Sequence, residues 1–105
     1  MDERRGFFRI KNNGKIHAKT SYGALDVIDI SSSGALIKKN NTHLEQKGVI
    51  ELNIHNFSMP IHYEVSKTQG DTIVLIFENE NEINKLFPVL KNLRNRKDKQ
   101  AYNRF

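Results

Sequence analysis

Six short β-type runs followed by an abrupt change of hydrophobic period constrain this chain more than any other feature. Residues 15–20, 24–30, 35–39, 49–54, 57–65 and 72–77 read as strands. They are separated by Ser21-Tyr22-Gly23, by Ser31-Ser32-Ser33-Gly34, by a loop over 40–47, by His55-Asn56 and by Gln69-Gly70-Asp71. These are residues whose side chains or backbone freedom favour turns. Leu25, Val27 and Ile30 are available for burial, Val49, Leu52 and Ile54 compete for one inner face, and Ile73–Phe77 is the most apolar run, expected to be a core strand. Pro60 removes a backbone donor and so points to an edge position or a bulge within the fifth run.

The period then changes. Ile83, Leu86, Phe87, Leu90 and Leu93 recur at helical spacing and predict an amphipathic helix over 81–97. Asn81 or Glu80 is placed to cap it, and Glu82 in its first turn suits the helix dipole. Pro88 interrupts the pattern, so a kink is expected there, or a second helix beginning near Phe87. Six strands at short spacing with one trailing helix predict a mainly β fold, a closed or nearly closed antiparallel barrel whose end or edge the helix covers.

A chain of 105 residues has room for one domain. The expected layout is an arginine-rich flexible N-terminal arm over 1–13, a barrel over 14–78, the helix over 81–97 and a basic tail over 98–105. No run approaches the roughly 18 apolar residues of a membrane span, and no apolar segment follows the first charges as a secretory leader requires. The expectation is a cytoplasmic protein. With no cysteine, disulfides and thiolate metal sites are excluded. The histidines, His17, His43, His55 and His62, are far apart, and only His62-x-Glu64 shares a strand face, so no metal site is expected. The serines at 31–33 have no neighbouring base and no nucleophile elbow surrounds them, so the chain does not read as an enzyme.

Charge is distributed unevenly. Residues 1–20 hold six Lys/Arg against two acids, residues 91–105 hold six against Asp98, and residues 21–90 hold five against nine. An acidic body with two cationic ends attracts anions at the ends, although solvated basic tails have the same composition.

Two local patterns carry chemistry. Arg4-Arg5-Gly6-Phe7-Phe8-Arg9 contains R-x-x-x-R, and Asp29-Ile30-Ser31-Ser32-Ser33-Gly34 is a D-x-S-x-x-G at a strand end. Three guanidiniums within six residues repel one another unless an anion lies among them, and Arg forks suit phosphate oxygens and the O6/N7 edge of guanine. The Asp29 carboxylate suits the amino and imino donors of a guanine face. If Ile30 points inward, Asp29 and Ser31 share the opposite face of the strand. Gly34 permits a turn, or a flat ring close to the backbone. Each motif also has an account without ligand: D-x-S-x-x-G is a turn signature, and R-x-x-x-R occurs in solvated basic arms.

Taken together, in this order and about 20 residues apart, the motifs resemble the PilZ domain family, receptors for the bacterial second messenger cyclic di-GMP. Asp2-Glu3-Arg4-Arg5-Gly6-Phe7-Phe8-Arg9 looks like the family's E-R-R-x-x-x-R opening, and residues 27–37 look like its second motif with apolar flanks. The layout of a six-stranded barrel with a trailing helix extends the resemblance to about Leu93. It implies that Arg5 and Arg9 hold phosphates and guanine edges, that Asp29 and Ser31 bond a guanine, and that Gly34 keeps the turn open. Arg4 stands where PilZ proteins with arginine tend to bind two intercalated ligand molecules. Phe7-Phe8 is bulkier than the loop requires, and the last strand lacks a glycine often found there in the family. The implied role is a ligand-sensing adaptor that signals to an unidentified protein partner, with no cofactor. The alternatives are a PilZ-fold interaction module without nucleotide, and a small basic barrel that stacks single-stranded nucleic acid on Phe7, Phe8 and Tyr22. The acidic middle argues against the last.

Overall fold

A computed structural model describes the backbone of residues 9–102 and the side chains of residues 9–94. Seven strands precede one helix: β1 (Ile10–Lys11), β2 (Ile16–Thr20), β3 (Gly23–Ser31), β4 (Gly34–Lys38), β5 (Lys47–Ile54), β6 (Phe57–Gln69), β7 (Thr72–Phe77) and α1 (Glu80–Tyr102). All pairings are antiparallel. The order β1-β3-β2-β5-β6-β7-β4 is closed by pairing of β4 with β3, so β2 to β7 form the expected six-stranded barrel. The short β1 lies beside the second half of β3, with Ile10 opposite Ile30 and Lys11 opposite Asp29. Residues 10 and 11 are therefore strand, although the sequence placed them in the arm.

Alternation explains the core. Ile16 and Ala18, Ile50, Leu52 and Ile54, Met59, Ile61 and Tyr63, and Leu75 and Phe77 are buried at every second position of their strands. β3 departs from that rule once. Val27 faces Ile37, Asp29 faces Leu36, and Ile28 between them is an extra residue that makes a bulge. Inward positions consequently run Leu25, Val27 and then Ile30.

Pro60 sits opposite Glu51 on β6, beyond the point where β7 ends opposite Tyr63. The His62 amide, two residues on and pointing the same way, donates to Glu82 Oε1 at 2.8 Å instead of to a strand. Pro60 thus lacks its N–H on a locally unpaired side, the edge setting its chemistry requires. The bulge of β6 lies elsewhere, between Val65 and Lys67.

The helix closes onto this barrel through Ile83, Leu86, Leu90 and Leu93, all buried with the strand residues in one core, while Phe87 is half-buried. Its cap is Asn79, not Asn81 or Glu80: Asn79 Oδ1 accepts the Glu82 amide at 3.0 Å, and the Asn79 carbonyl accepts the Ile83 amide at 2.9 Å. The Glu82 carboxylate takes both the His62 amide and His62 Nδ1, each at 2.8 Å, and ties the first helical turn to β6. The helix runs through Pro88 as one element, so no second helix begins near Phe87, and it continues past residue 97 to Tyr102. Pro88 removes one helical bond, but Asn84 and Pro88 are both exposed, so the released carbonyl can meet water while Leu86 and Leu90 hold both sides on the core.

One glycine is dictated by packing. A Cβ on Gly34 would fall 2.4 Å from the carbonyl oxygen of Leu75, because β4 and β7 approach closely at this point.

Leu86→Ala should destabilise the fold by about 2–5 kcal/mol in urea unfolding, since the side chain is fully buried, whereas exposed Lys85→Ala should stay within about 0.5 kcal/mol of the parent. Gly34→Ala should lower stability by roughly 1–3 kcal/mol, because backbone on β7 has to move. A Gly34→Ala protein that unfolds at the parental urea midpoint would refute the close-approach explanation.

Candidate functional site

The site lies where β1, β3 and β4 meet. Because Ile28 is bulged, Ile30 turns into the core and Asp29 is carried to the outer side of the barrel. Pairing of β1 with β3 brings Arg9, the residue just before β1, to the same place. Arg9 Nε donates to Asp29 Oδ1 at 3.1 Å, with side-chain exposures of 45% and 18%. The contact engages one of the five guanidinium donors, so it is a single-point pair rather than a bidentate fork. A half-exposed pair of this kind contributes about 0–1 kcal/mol. It positions the two groups and yields easily to a stronger partner.

Ser31 and Gly34 complete the motif in a different manner. Ser31 is only 1% exposed. Its Oγ lies 3.3 Å from Ser33 Oγ and from the Ser33 amide, and donates to the Gly34 carbonyl at 3.4 Å. These long contacts close the β3–β4 turn, the role that Ser takes in a turn signature. The same turn meets the end of β7, where the Phe77 amide donates to the Ser33 carbonyl at 2.9 Å. Of the predicted site residues, Arg9 and Asp29 are brought together on the surface, whereas Ser31 and Gly34 lie beneath them in the turn. Arg4 and Arg5 lie outside the described residues, as do Phe7 and Phe8.

Sequence reasoning missed the residue that holds β1. Asn12 falls in the segment expected to be a flexible arm, yet its side chain binds backbone groups of residues 14, 16 and 27. The available signal was the Asn12-Asn13-Gly14 run, with Gly14 at φ +90°.

Elsewhere the candidates have other occupations. His62 faces Glu82 on the helix rather than Glu64 on its own strand, and among the described residues no group of three or more His, Asp or Glu is placed to hold a metal ion. Tyr22 is exposed, but its hydroxyl donates to Glu45 Oε2 at 3.2 Å and its ring meets His43 edge-on at 4.8 Å. The hydrogen bond and charge of Glu45 raise the Tyr22 phenol above its ordinary pKa. An acid beside this ring repels phosphate. No described helix is long and apolar enough to cross a membrane.

Comparison with known proteins agrees with this architecture. A family model described as PilZ domain-like matches residues 9–98. The crystal structure of an uncharacterized protein of Legionella is similar at 44% identity, with a TM-score of 0.84, over 87% of this chain and 98% of that one. No curated protein matches. The family model covers the barrel and most of the helix, including Arg9 and the whole D-x-S-x-x-G turn, and the chain therefore belongs to the PilZ domain-like family.

Proposed function

We propose that this domain binds cyclic di-GMP and, with its surface altered by the ligand, acts on a protein partner. The supporting observation is the 3.1 Å approach of the Arg9 guanidinium to the Asp29 carboxylate across β1 and β3. A cyclic dinucleotide of guanine carries phosphates that need cationic forks and base edges that need acceptors. Arg9 and Asp29 offer one of each at a single place.

Binding is then an exchange of partners. Arg9 leaves the weak contact with Asp29 for a phosphate or a guanine O6/N7 edge, where two parallel hydrogen bonds form. The freed carboxylate accepts from the guanine imino and amino groups. Arg5 adds a second fork, and Arg4 a third that suits an intercalated pair of ligands. Ser31 contacts a base by giving up one of its long turn bonds, and Gly34 keeps side-chain atoms away from the turn. No bond is made or broken in the ligand, so the domain acts as a receptor.

A second reading has an observation of its own. Ser31 and Gly34 both have complete roles in the turn and in β4–β7 packing, as a PilZ-fold interaction module without nucleotide also requires. Stacking of single-stranded nucleic acid is less well supported, because exposed Tyr22 is paired with Glu45.

Titration calorimetry with cyclic di-GMP, against GTP and cyclic GMP, separates these readings. Cyclic di-GMP is expected to bind and the two controls to bind far more weakly. Loss of a charge-assisted partner of about 2 kcal/mol or more makes Arg9→Ala and Arg5→Ala weaker by roughly 30-fold or more, and Asp29→Ala should weaken binding as well. Wild-type affinity in Arg9→Ala would remove Arg9 from the site, and no heat with cyclic di-GMP at all would favour the module without nucleotide.

A further inference from the structure

The outer ladder of β3 is incomplete in its middle, and one side chain fills the gap. On this side β2 pairs with residues 23–25 of β3 and β1 with residues 29 and 30. Between them the carbonyls of Val27 and Ile28, at the bulge, have no strand partner on this side. Asn12 supplies both donors: its backbone amide donates to the Ile28 carbonyl at 3.0 Å, and Nδ2 donates to the Val27 carbonyl at 3.0 Å. Nδ2 also donates to the Ile16 carbonyl at 2.9 Å, while Oδ1 accepts the amides of Gly14 at 2.9 Å and Ile16 at 3.1 Å. Two donor hydrogens and two lone pairs are thus all used, which is the full capacity of a carboxamide. The side chain is partly buried, where leaving such groups unmatched is unfavourable.

We propose that Asn12 is the positioning residue of the ligand site: by joining β1 to β2 across the bulge of β3, it fixes where the arginine arm leaves the barrel and holds Arg9 beside Asp29. The consequence for ligand affinity rests on the cyclic di-GMP reading; the anchoring itself does not. Arg9 is three residues from Asn12, and only the two-residue β1 lies between them. A ladder that short barely offsets the entropy of ordering its residues. With the Asn12 carboxamide in place, the backbone directly after β1 is tethered to β3 and β2. Without it, the next secure point is Ile16, and about 3.3 Å of reach per residue lets Arg9 sweep roughly 20 Å. No other residue type serves at this position: Asp has no donors for Val27 and Ile16, and Gln places its amide one bond too far out. Asn12 does not touch ligand. It acts through the fraction of molecules in which Arg9 is already placed, and apparent affinity falls in proportion to that fraction.

Two measurements on the full chain test this. Amide hydrogen exchange on the ligand-free protein should show the position-12 amide, bonded to Ile28, protected in the wild type. In Asn12→Ala that protection should drop roughly tenfold or more, with protection at Leu52 falling only as far as global stability does. A position-12 amide that exchanges like free chain in the wild type would overturn the anchor, even if the variant does not fold, and so would unchanged protection in a folded Asn12→Ala. In titrations with cyclic di-GMP, Asn12→Ala should bind about tenfold more weakly. Asn40→Ala is the control, because it removes a similar side-chain tie at the other end of β3, to Ala24 and Asp26, and should bind like the wild type. In an Arg9→Ala background, Asn12→Ala should add less than about twofold, since the group it positions has gone. The full tenfold effect in that background, or equal weakening by Asn40→Ala, would mean general destabilisation and would overturn the positioning role. If the wild type binds no cyclic di-GMP, the ligand reading fails by itself, and the exchange measurement alone decides on the anchor.

Discussion

Everything at this site depends on how β3 closes the barrel. One strand of nine residues pairs with β2 and β1 along one side and with β4 along the other. A regular strand of that length cannot bury Val27 and Ile30 together, because side chains alternate with a period of two. Without the extra residue at Ile28, a strand that buried Val27 would turn Ile30 to water and Asp29 to the core. The latter would leave a carboxylate uncompensated in apolar surroundings, at a cost of several kcal/mol. The bulge resolves the conflict by turning both residues at once. The device that completes the core is therefore the device that exports the carboxylate, a common use of bulges beside functional sites.

The contacts of the molecule fall into two strengths, and that division suits a receptor. Ile30, Leu52, Leu86 and Leu90 are fully buried in a single core shared by barrel and helix. The Arg9–Asp29 pair is half exposed and single-point. A ligand that had to break a buried pair would need to offset about 3–5 kcal/mol before gaining anything. On the proposed reading, the contact to be displaced contributes about 0–1 kcal/mol, so little of the new interaction would be lost to displacement. The barrel supplies rigidity, and the surface pair keeps the cation and the acceptor in place until something better arrives.

Much of this was legible in the sequence because it follows from periodicity. Leu25, Val27 and Ile30, expected to be available for burial, are the inward positions of β3, and the 72–77 run is a strand with the bounds expected of it, although only Leu75 and Phe77 are buried and Ile76 is exposed. The helix was legible from Ile83 to Leu93 because its stripe packs. Its ends were not, since the cap falls on Asn79, outside the periodic segment, and the last turns carry no apolar pattern. Asn12 escaped for a different reason. A carboxamide that bonds backbone groups of two separate segments leaves no periodic trace, and only the folded chain shows which carbonyls lack a partner. His62 shares a strand face with Glu64 in the sequence, but its partner, Glu82, comes from the helix.

The two motifs differ in what they reveal about function. In the D-x-S-x-x-G turn, Ser31 ties the backbone, Gly34 clears the Leu75 carbonyl and Asp29 stands outward because Ile30 stands inward. Each of those residues has a reason to be there that needs no ligand, so the turn alone identifies a fold. Of the arginines at positions 4, 5 and 9, Arg9 alone lies among the described residues, and its described ion pair, with Asp29, is half exposed. The sequence sets three guanidiniums within six residues, and an exposed contact like that of Arg9 with Asp29 contributes about 0–1 kcal/mol. On the proposed reading, a phosphate-bearing ligand would meet these cations beside an acceptor that β3 has turned outward. That concentration of cations, more than the turn, is the physical case for a phosphate-bearing ligand.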